Sequence, residues 1–442
     1  GEDGIDTIVT CDNGIAAAAE IQMAKDKGMT VIVTDHHEIP YREENGERQV
    51  ILPPADAILN PKQYDCPYPN KNLCGAVVAF KYITALYERF GVPEKELEDY
   101  YELAAIATVG DVMDLQGENR ILVKEGLRRL KETKNPGLQE LIRANALEDA
   151  KITAYHIGFV LGPCINASGR LDTAARSLQL LNAQTIEEAA KLAGDLTALN
   201  QSRKALTEKG KEEAIRLIET TDLKNDRVLV VYLPDCHESL AGIIAGRLRE
   251  KYHKPAFVLT RGETSAKGSG RSIESYSMYE ELVKCADLMV QFGGHPMAAG
   301  LSIKEENIEA FRRQLNENCT LTEEDLRPKI VIDVPMPVSY ITKELVEQIS
   351  LLEPFGKGNT KPVFAQKGLR VLDSSILGKN KNVVKVKLLD PQGVPMEGIY
   401  FGEAEEFAGF LKEHDTIAVT YYPEINRFRG RESLQIIIQN YC

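Results

Sequence analysis

Asp35, His36 and His37 form a single run of residues able to do chemistry, and Asp12 and Asp111 offer two further carboxylates. Imidazole nitrogen and carboxylate oxygen together suit Mn²⁺, and with more water Mg²⁺, better than metals that prefer thiolate. Two such ions about 3.5–4 Å apart activate a water and stabilise both oxygens of an in-line phosphoryl displacement. The set therefore points to metal-assisted hydrolysis at phosphorus. Taken alone, the Asp-His-His run also fits an aspartate capping a turn with two locally satisfied histidines. Asp12 and Asp111, each following an apolar segment, make a shared centre the better reading.

The elements that must position these residues are legible. Thr30-Val31-Ile32-Val33-Thr34 is a β-branched run after Gly28 and reads as a buried parallel strand. It ends on Asp35, at the carboxyl end where open α/β sheets keep their chemistry. Asp6–Thr10 is a second such run, ending in Cys11-Asp12-Asn13-Gly14. Neighbouring residues of an extended segment point to opposite sides. One of His36 and His37 is thus expected to ligate, and the other to reach the phosphate or a supporting partner. A helix over Ile15–Lys27, ending near Gly28, lies between the strands. This alternation predicts βαβ units and a parallel sheet up to about Asp111. Val77–Val109 reads as helical and runs into Gly110-Asp111-Val112-Met113-Asp114. Leu127–Ala146 also reads as helical and leads into Gly162-Pro163-Cys164-Ile165-Asn166-Ala167-Ser168-Gly169-Arg170.

Thr185–Glu219 is rich in Ala, Leu, Glu and Lys without proline, which predicts one or two long helices joining two lobes. Arg227–Tyr232 begins a second α/β unit, with a helix over Ser239–Tyr252, a strand over Ala256–Thr260 and a closing Gly293-Gly294-His295. Beyond Lys329, the alternating runs Lys381–Leu388, Thr416–Tyr422 and Leu434–Gln439 predict a small antiparallel barrel. The expected fold class is α/β: two α/β lobes joined by a long helix, plus a C-terminal barrel. The expected boundaries are 1–183, 184–222, 223–325 and 326–442.

Composition narrows the partners. The 442 residues allow two to four domains. A net charge of −13 excludes a surface basic all over, so nucleic acid would need a focused channel plus metal. The eight cysteines have no framework spacing and read as free thiols of a reducing cytoplasm. No apolar run approaches the roughly 20 residues of a membrane helix. A cytoplasmic monomer with no membrane partner is expected.

These motifs, in this order, resemble the DHH phosphoesterases, and within them the RecJ-type single-strand-specific exonucleases. Asp12-Asn13-Gly14, Asp35-His36-His37 and Gly110–Asp114 are similar to the second, third and fourth motifs of that family. Gly162–Arg170 resembles its Gly-Pro-x-Ile-Asn-Ala-x-Gly-Arg segment. His237–Arg247, Gly268-Ser269-Gly270-Arg271 and Gly293-Gly294-His295 look like the accompanying DHHA1 domain. Leu352-Glu353-Pro354-Phe355-Gly356-Lys357-Gly358-Asn359 is close to the signature before an oligonucleotide-binding (OB-type) barrel. The family's upstream Asp-x-Asp-x-Asp-Gly motif does not occur in this chain, so it is expected in a longer parent. The resemblance implies two Mn²⁺ or Mg²⁺ ions, with Asp12 bridging and His36 and Asp111 completing one of them. It implies that His37 contacts the scissile phosphate and that Asp35 orients its neighbours.

Arg170, Arg247 and Arg271 each lie in a segment with Gly or Ser, where guanidinium can fork onto phosphate oxygens and backbone amides can approach an anion. Ser269, Gly293, Gly294 and His295 belong with them. Asn166 either holds the turn before Gly169 or reaches the strand. Tyr400 and Phe401 read as core, whereas Phe428, between Arg427 and Arg429, reads as a base-stacking residue. His156, His253 and His414 read as structural. The implied function is 5′-to-3′ exonuclease action on single-stranded DNA, releasing mononucleotides in recombination and repair. The strand would thread a cleft between the lobes, and a helicase and a single-strand-binding protein are implied partners. Two other readings stand beside it: a phosphodiesterase for short oligonucleotides or cyclic dinucleotides, and a non-catalytic scaffold that binds single strands.

Overall fold

The computed structural model describes residues 4–44, 47–171, 173–378, 381–428 and 430–442; for Glu43, Glu44, Glu47, Leu171 and Phe428 it describes the backbone only. The chain forms two compact units. One comprises Gly1–Thr133, Ala150–Gly158 and Ile330–Cys442, and the other Lys134–Asp149 and Phe159–Lys329.

The first unit opens with β1 (Thr7–Val9), α1 (Ala18–Asp26) and β2 (Thr30–Thr34). A hairpin of β3 (Tyr41–Glu44) and β4 (Glu47–Val50) follows, then β5 (Ala57–Leu59), α2 (Gly75–Phe90), α3 (Tyr100–Gly110) and α4 (Gly117–Leu130). The sheet order is β1-β2-β5 and both pairings are parallel, as the strand–helix alternation predicts. Val31 and Val33 are buried against Ile21 of α1. The stretch Val77–Val109 is two helices rather than one. Gly91, at φ 68°, caps α2 in the left-handed conformation and Pro93 follows, so the helix cannot continue. Leu127–Ala146 is divided in the same way. The Asn135 side chain accepts the Leu138 N–H at 3.0 Å and Pro136 opens the next helix. Apolar spacing carries across both breaks and conceals them.

The second unit begins with α5 (Pro136–Ala144). After the single turn α6 (Ala154–His156) of the first unit come α7 (Gly162–Leu171), α8 (Ala175–Leu181) and α9 (Ile186–Thr220). α9 is one unbroken helix of 35 residues, capped by the Thr185 side chain. Its buried positions Ala189, Ala193, Leu196 and Asn200, then Thr207, Gly210, Ala214 and Ile218, keep one face apolar or small. Asn200 donates to Cys164 of α7. There follow β6 (Leu229–Tyr232), α10 (Glu238–Tyr252), β7 (Ala256–Thr260), β8 (Ala266–Arg271), α11 (Met278–Val283), β9 (Met289–His295), β10 (Ala298–Ile303) and α12 (Ile308–Asn318). The sheet order is β6-β7-β8-β10-β9; only β6–β7 is parallel. Leu240, Ile244 and Leu248 of α10 bury one face against Leu229, Val231 and Val258. Phe257, Leu259, Leu301, Met278 and Phe311 fill the other.

The chain then completes the first unit with β11 (Val334–Pro335), α13 (Lys343–Ser350), β12 (Phe364–Leu377), β13 (Val383–Leu389), β14 (Pro395–Phe401), α14 (Ala404–Glu413), β15 (Thr416–Phe428) and β16 (Arg431–Tyr441). The 14-residue β12 pairs with β15 through its first half and β13 through its second, so the sheet curls into a partial ring. The expected purely antiparallel pairing needs correction: β14 with β16, and β11 with β12, are parallel. Side-chain alternation reports which face a residue takes, not which way its partner runs. Phe407 and Leu411 of α14 pack into the ring against Val384, Val386, Tyr421 and Ile436.

Candidate metal centre and nucleic-acid face

The candidate metal ligands lie at two adjacent strand ends, after β1 and β2, and at the end of helix α3. The turn after β1 is stitched to β2 by a reciprocal pair of hydrogen bonds. Thr34 Oγ1 donates to the Thr10 carbonyl at 2.6 Å, and the Thr34 N–H donates to Thr10 Oγ1 at 3.1 Å. The Asp12 N–H continues the ladder to the Thr34 carbonyl at 3.0 Å. Asp12 itself sits at φ 63°, a left-handed conformation that Asp tolerates better than most residues. The start of α2 presses against it. A Cβ on Gly75 would lie 2.2 Å from Asp12 Oδ1 and 2.6 Å from its Cα, so only glycine fits there.

After Thr34 the chain leaves the extended conformation, and the expected divergence of His36 and His37 does not occur. Asp35, 1% exposed, accepts the N–H of His36 at 2.7 Å and of His37 at 3.2 Å through Oδ1. The chain curls about that oxygen, and the two imidazole centroids lie 4.6 Å apart. Asp35 Oδ1 also meets His37 Nδ1 at 2.7 Å, while Oδ2 accepts the Ile15 N–H at 2.9 Å. Burial pushes this carboxyl upward, but the hydrogen bonds from Ile15, the His37 ring and the two amides outweigh it and hold it below the usual range. Asn60, directly after β5, donates to the His37 carbonyl at 3.0 Å. It fixes the far side of the turn and went unnoticed in the sequence, although Ala57-Ile58-Leu59-Asn60 is a third short apolar run with a polar end.

His36 Nε2 lies 3.1 Å from Asp12 Oδ1 and 3.4 Å from Asp111 Oδ2. One nitrogen of each histidine and one oxygen of Asp12 fall within 4.8 Å of one another. Asp111 is not in that tightest group and approaches through His36. Ligand atoms on one hexacoordinate ion at about 2.1 Å are separated by about 3 Å. The donor set and the His36 contacts therefore fit a divalent cation, which would replace carboxylate–imidazole approaches with bonds of its own. His36 Nδ1 is buried without a partner. Asp111 ends α3, and burial raises its carboxyl; the His36 ring opposes that rise and Asp12 adds to it. The next residue, Val112, is at φ 55°. Its N–H reaches the Val109 carbonyl at 3.1 Å and the Met113 N–H reaches Thr108 at 3.0 Å, a left-handed helix cap with valine where glycine is usual. A β-branched residue there is strained.

In the second unit, cross-strand register gathers the other candidates. Arg271, Ala298 and His295 form one row across β8, β10 and β9; Ser269, Gly300 and Gly293 form the next, and Lys267, Ser302 and Gln291 the third. Residues directly opposite share a face. α10 packs on this face over β7 and β8, with Gly242 seated against Ser269 and Arg271, leaving a polar floor of small residues over β10 and β9 edged by Lys267, Ser269 and Arg271. Glu238, Ser239, Ala241, Lys267, Gly268 and Ser269 line a cavity of about 230 Å³ beside it. Arg170 donates to the Ser239 carbonyl at 2.9 Å, and Arg271 to Ser269 Oγ at 3.1 Å. Arg203 of α9, missed within its helical stretch, joins this group. Burial lowers its guanidinium, and Arg170 and Arg247 lower it further. Burial likewise lowers Arg271, with Arg170 and Arg249 adding to it. Cations that depress one another are relieved by an anion between them.

Several expectations need correction. Gly162–Leu171 is helical, so no turn precedes Gly169, and Asn166 is exposed on that helix. Gly268 and Gly270 lie in an inner strand whose amides are in the ladder, so the amide–anion idea fits only Gly293 and Gly294 of edge strand β9. Arg247 pairs with Glu250 at 2.9 Å. Phe401, expected in the core, is 61% exposed, whereas Tyr400 packs among Phe407 and Tyr441. The Phe428 side chain and Arg429 lie outside the described residues. His156 closes a capping box with Thr153, His253 ends α10 and His414 stacks on Phe410, all local roles. Among the described residues no helix is long and apolar enough to cross a membrane.

A parallel sheet with carboxylates and imidazoles at its strand ends, a mixed sheet with a polar floor and a curled C-terminal sheet define the architecture of a DHH-type phosphoesterase. Comparison with known proteins agrees. Residues 4–108 match the DHH family, N-terminal domain; 225–320 the DHHA1 domain; and 332–440 the RecJ OB domain. The single-stranded-DNA-specific exonuclease RecJ of Bacillus subtilis is 36% identical over 99% of this chain, and that of Salmonella typhimurium 34% identical over 99%. The chain spans 54% of the first relative and 77% of the second. The crystal structure of RecJ with Mn²⁺ from Thermus thermophilus superposes with a TM-score of 0.80 at 29% identity, over 99% of this chain and 62% of that one. The chain belongs to the RecJ family.

Proposed function

We propose that this chain carries the nuclease core of a metal-dependent exonuclease for single-stranded DNA. The observation that carries the reading is the approach of Asp12, His36 and His37 within 4.8 Å at adjacent strand ends, with His36 also 3.4 Å from Asp111. Asp12, His36 and Asp111 would hold Mn²⁺ or Mg²⁺, which when bound supplies charge against the phosphate oxygens and eases deprotonation of the attacking water. Asp35 accepts three contacts on Oδ1, and its depressed carboxyl keeps the proton on His37 Nδ1. That leaves His37 Nε2 as the nitrogen free to meet the substrate. Arg271, Ser269, Gly293, Gly294 and His295 would floor the path of the strand, with Arg170, Arg203 and Arg247 contributing charge. Phe401 and Phe428 would offer stacking surfaces. No part of this set reads base edges, which suits a substrate recognised by backbone and stacking.

The finer parts of the proposal rest on the family resemblance: attack from the 5′ end, mononucleotide products, a role in recombination and repair, and a helicase and a single-strand-binding protein as partners. Digestion of a long oligonucleotide labelled at either end, with Mn²⁺, tests them together. Mononucleotides released first from the 5′ end are expected, and Asp12→Asn should abolish them. Cleavage of dinucleotides without cleavage of the long strand would move the chain to the short-oligonucleotide phosphodiesterases. Binding without hydrolysis would make it a scaffold.

A further inference from the structure

The segment Leu352–Asn359 has no place in the chemistry above, yet it is fastened to the metal-site turn. The Leu115 N–H donates to the Lys357 carbonyl at 2.7 Å, and Gln116 Nε2 donates to the Gly358 carbonyl at 2.7 Å. Lys357 Nζ lies 3.4 Å from Asp114 Oδ1. Gly358 is at φ 71°, and a Cβ there would meet Asp114 Cβ at 2.9 Å. The loop is braced from within: Asn359 Nδ2 donates to the Leu352 and Pro354 carbonyls at 2.8 and 2.9 Å. It is also anchored away from the turn, by Arg120 on the Leu351 and Glu353 carbonyls and by Lys151 on Glu353.

The turn it grips runs from Asp111 through the strained Val112 to Gln116. Strain of that kind persists only where the surroundings over-determine the conformation. The cap at Thr108 and Val109 fixes one end, and the loop fixes the other. Asn119 ties the middle. It is 1% exposed and donates to the Asp114 carbonyl at 3.1 Å and the Asn72 carbonyl at 2.6 Å. Asn72 lies three residues before Gly75, the glycine seated against Asp12. A continuous set of short contacts thus runs from the loop to both carboxylates that flank His36.

We propose that the loop Leu352–Asn359 is a positioning clamp for the metal centre, with Lys357 and Gly358 holding the Asp111 turn in the conformation that binds the divalent ion. The proposal rests on the metal reading of Asp12, His36 and Asp111. The clamp residues touch neither the ion nor the substrate. They act by keeping Asp111 in register with His36, much as residues that orient metal ligands do.

The test is a Mn²⁺ titration of the whole chain, read by the loss of the free-ion electron paramagnetic resonance signal. Lys357→Ala and Gly358→Ala are expected to weaken Mn²⁺ binding about tenfold, and Lys357→Arg to restore most of it. Lys151→Ala, which loosens the same loop away from the turn, should lower the unfolding midpoint and leave Mn²⁺ affinity unchanged. Asp12→Asn separates the two ideas. If it loses Mn²⁺ while Lys357→Ala and Gly358→Ala bind like the wild type, the clamp is wrong and the metal reading stands. If Asp12→Asn also binds like the wild type, the metal reading fails and takes the clamp with it. Equal weakening in Lys151→Ala would reduce the loop to a stabilising contact and overturn its positioning role.

Discussion

Asp35 Oδ1 and His37 Nδ1 face each other at 2.7 Å, and every other contact of that buried carboxylate is to a backbone N–H. A group so fully engaged cannot serve as a proton acceptor for substrate. Its work is to shape the turn and to fix which nitrogen of His37 stays free.

Asp35→Asn puts an amide N–H₂ among donors and frees the His37 tautomer. Leaving buried donors unmatched is expected to cost about 2–3 kcal/mol of stability. Turnover on single-stranded DNA should fall at least about tenfold, with KM nearly unchanged. Urea unfolding and steady-state kinetics check the two halves separately. Unchanged turnover would remove His37 from the mechanism.

Divalent ions should stabilise the protein through Asp12 and His36. At a Mn²⁺ concentration about 100 times its dissociation constant, stability should rise by about 2.7 kcal/mol, and chelation should reverse it. In Asp12→Asn and His36→Ala the rise should disappear. Calorimetric scans with and without Mn²⁺ decide it, and an equal rise in all three proteins would place the ion elsewhere.

Val112 is 61% exposed, so its side chain contributes little packing to offset its left-handed backbone. Asn tolerates that conformation, and Val112→Asn is expected to stabilise the chain by about 1 kcal/mol. The denaturant midpoint should move up. A downward shift would mean that the valine makes contacts worth more than its strain.

Arg271→Gln should weaken single-strand binding at low salt and reduce the slope of log K against log salt by about 0.7, the signature of one lost phosphate contact. Fluorescence anisotropy across a salt series gives both numbers. An unchanged slope would return Arg271 to a purely internal role beside Ser269 and the Gly270 carbonyl.

Glu125 supplies the pH dependence. Hydrogen bonds from Arg128, and then Arg129, hold its carboxyl down to about 2, against some burial. The folded value lies below the unfolded one, so the contribution is fully present above about pH 4.5 and fades as the pH falls toward 2. The group is 30% exposed, which limits it to about 1 kcal/mol. Glu125→Gln should therefore unfold more easily at pH 7 and match the wild type near pH 2. A stability difference that grows on acidification would reverse the sign.

That Asp12, His36, His37 and Asp111 come together was readable because residue type and local structure coincide there. A β-branched strand ending in Asp-His-His announces both the element and the residue types it delivers. The curl at Asp35 was not readable, since two adjacent histidines converge only when a side chain gathers their amides. Asn60, Gly75 and Arg203 escaped because each matters through a neighbour distant in sequence: Asn60 through the His37 carbonyl, Gly75 through Asp12 and Arg203 through Arg170. The breaks at Gly91 and Asn135 had plain local signals that apolar spacing overrode. Of the aromatic residues, Tyr421 went to the core and Phe401 to the surface. Alternation alone could not sort them, because a ring has an inside that single-strand patterns do not announce.

The bond between Gln116 and Gly358 joins residues 242 positions apart. At about 5–20 residues per second, a ribosome takes roughly 10–50 s to cover that distance. Asp12, His36 and Asp111 are all synthesised long before the segment that braces their turn. A nascent chain therefore carries the proposed metal ligands early and their full support late, so a translation product stopped before that segment holds these residues without the brace. The order of synthesis itself delays the moment at which the turn at Asp111 is held from both ends.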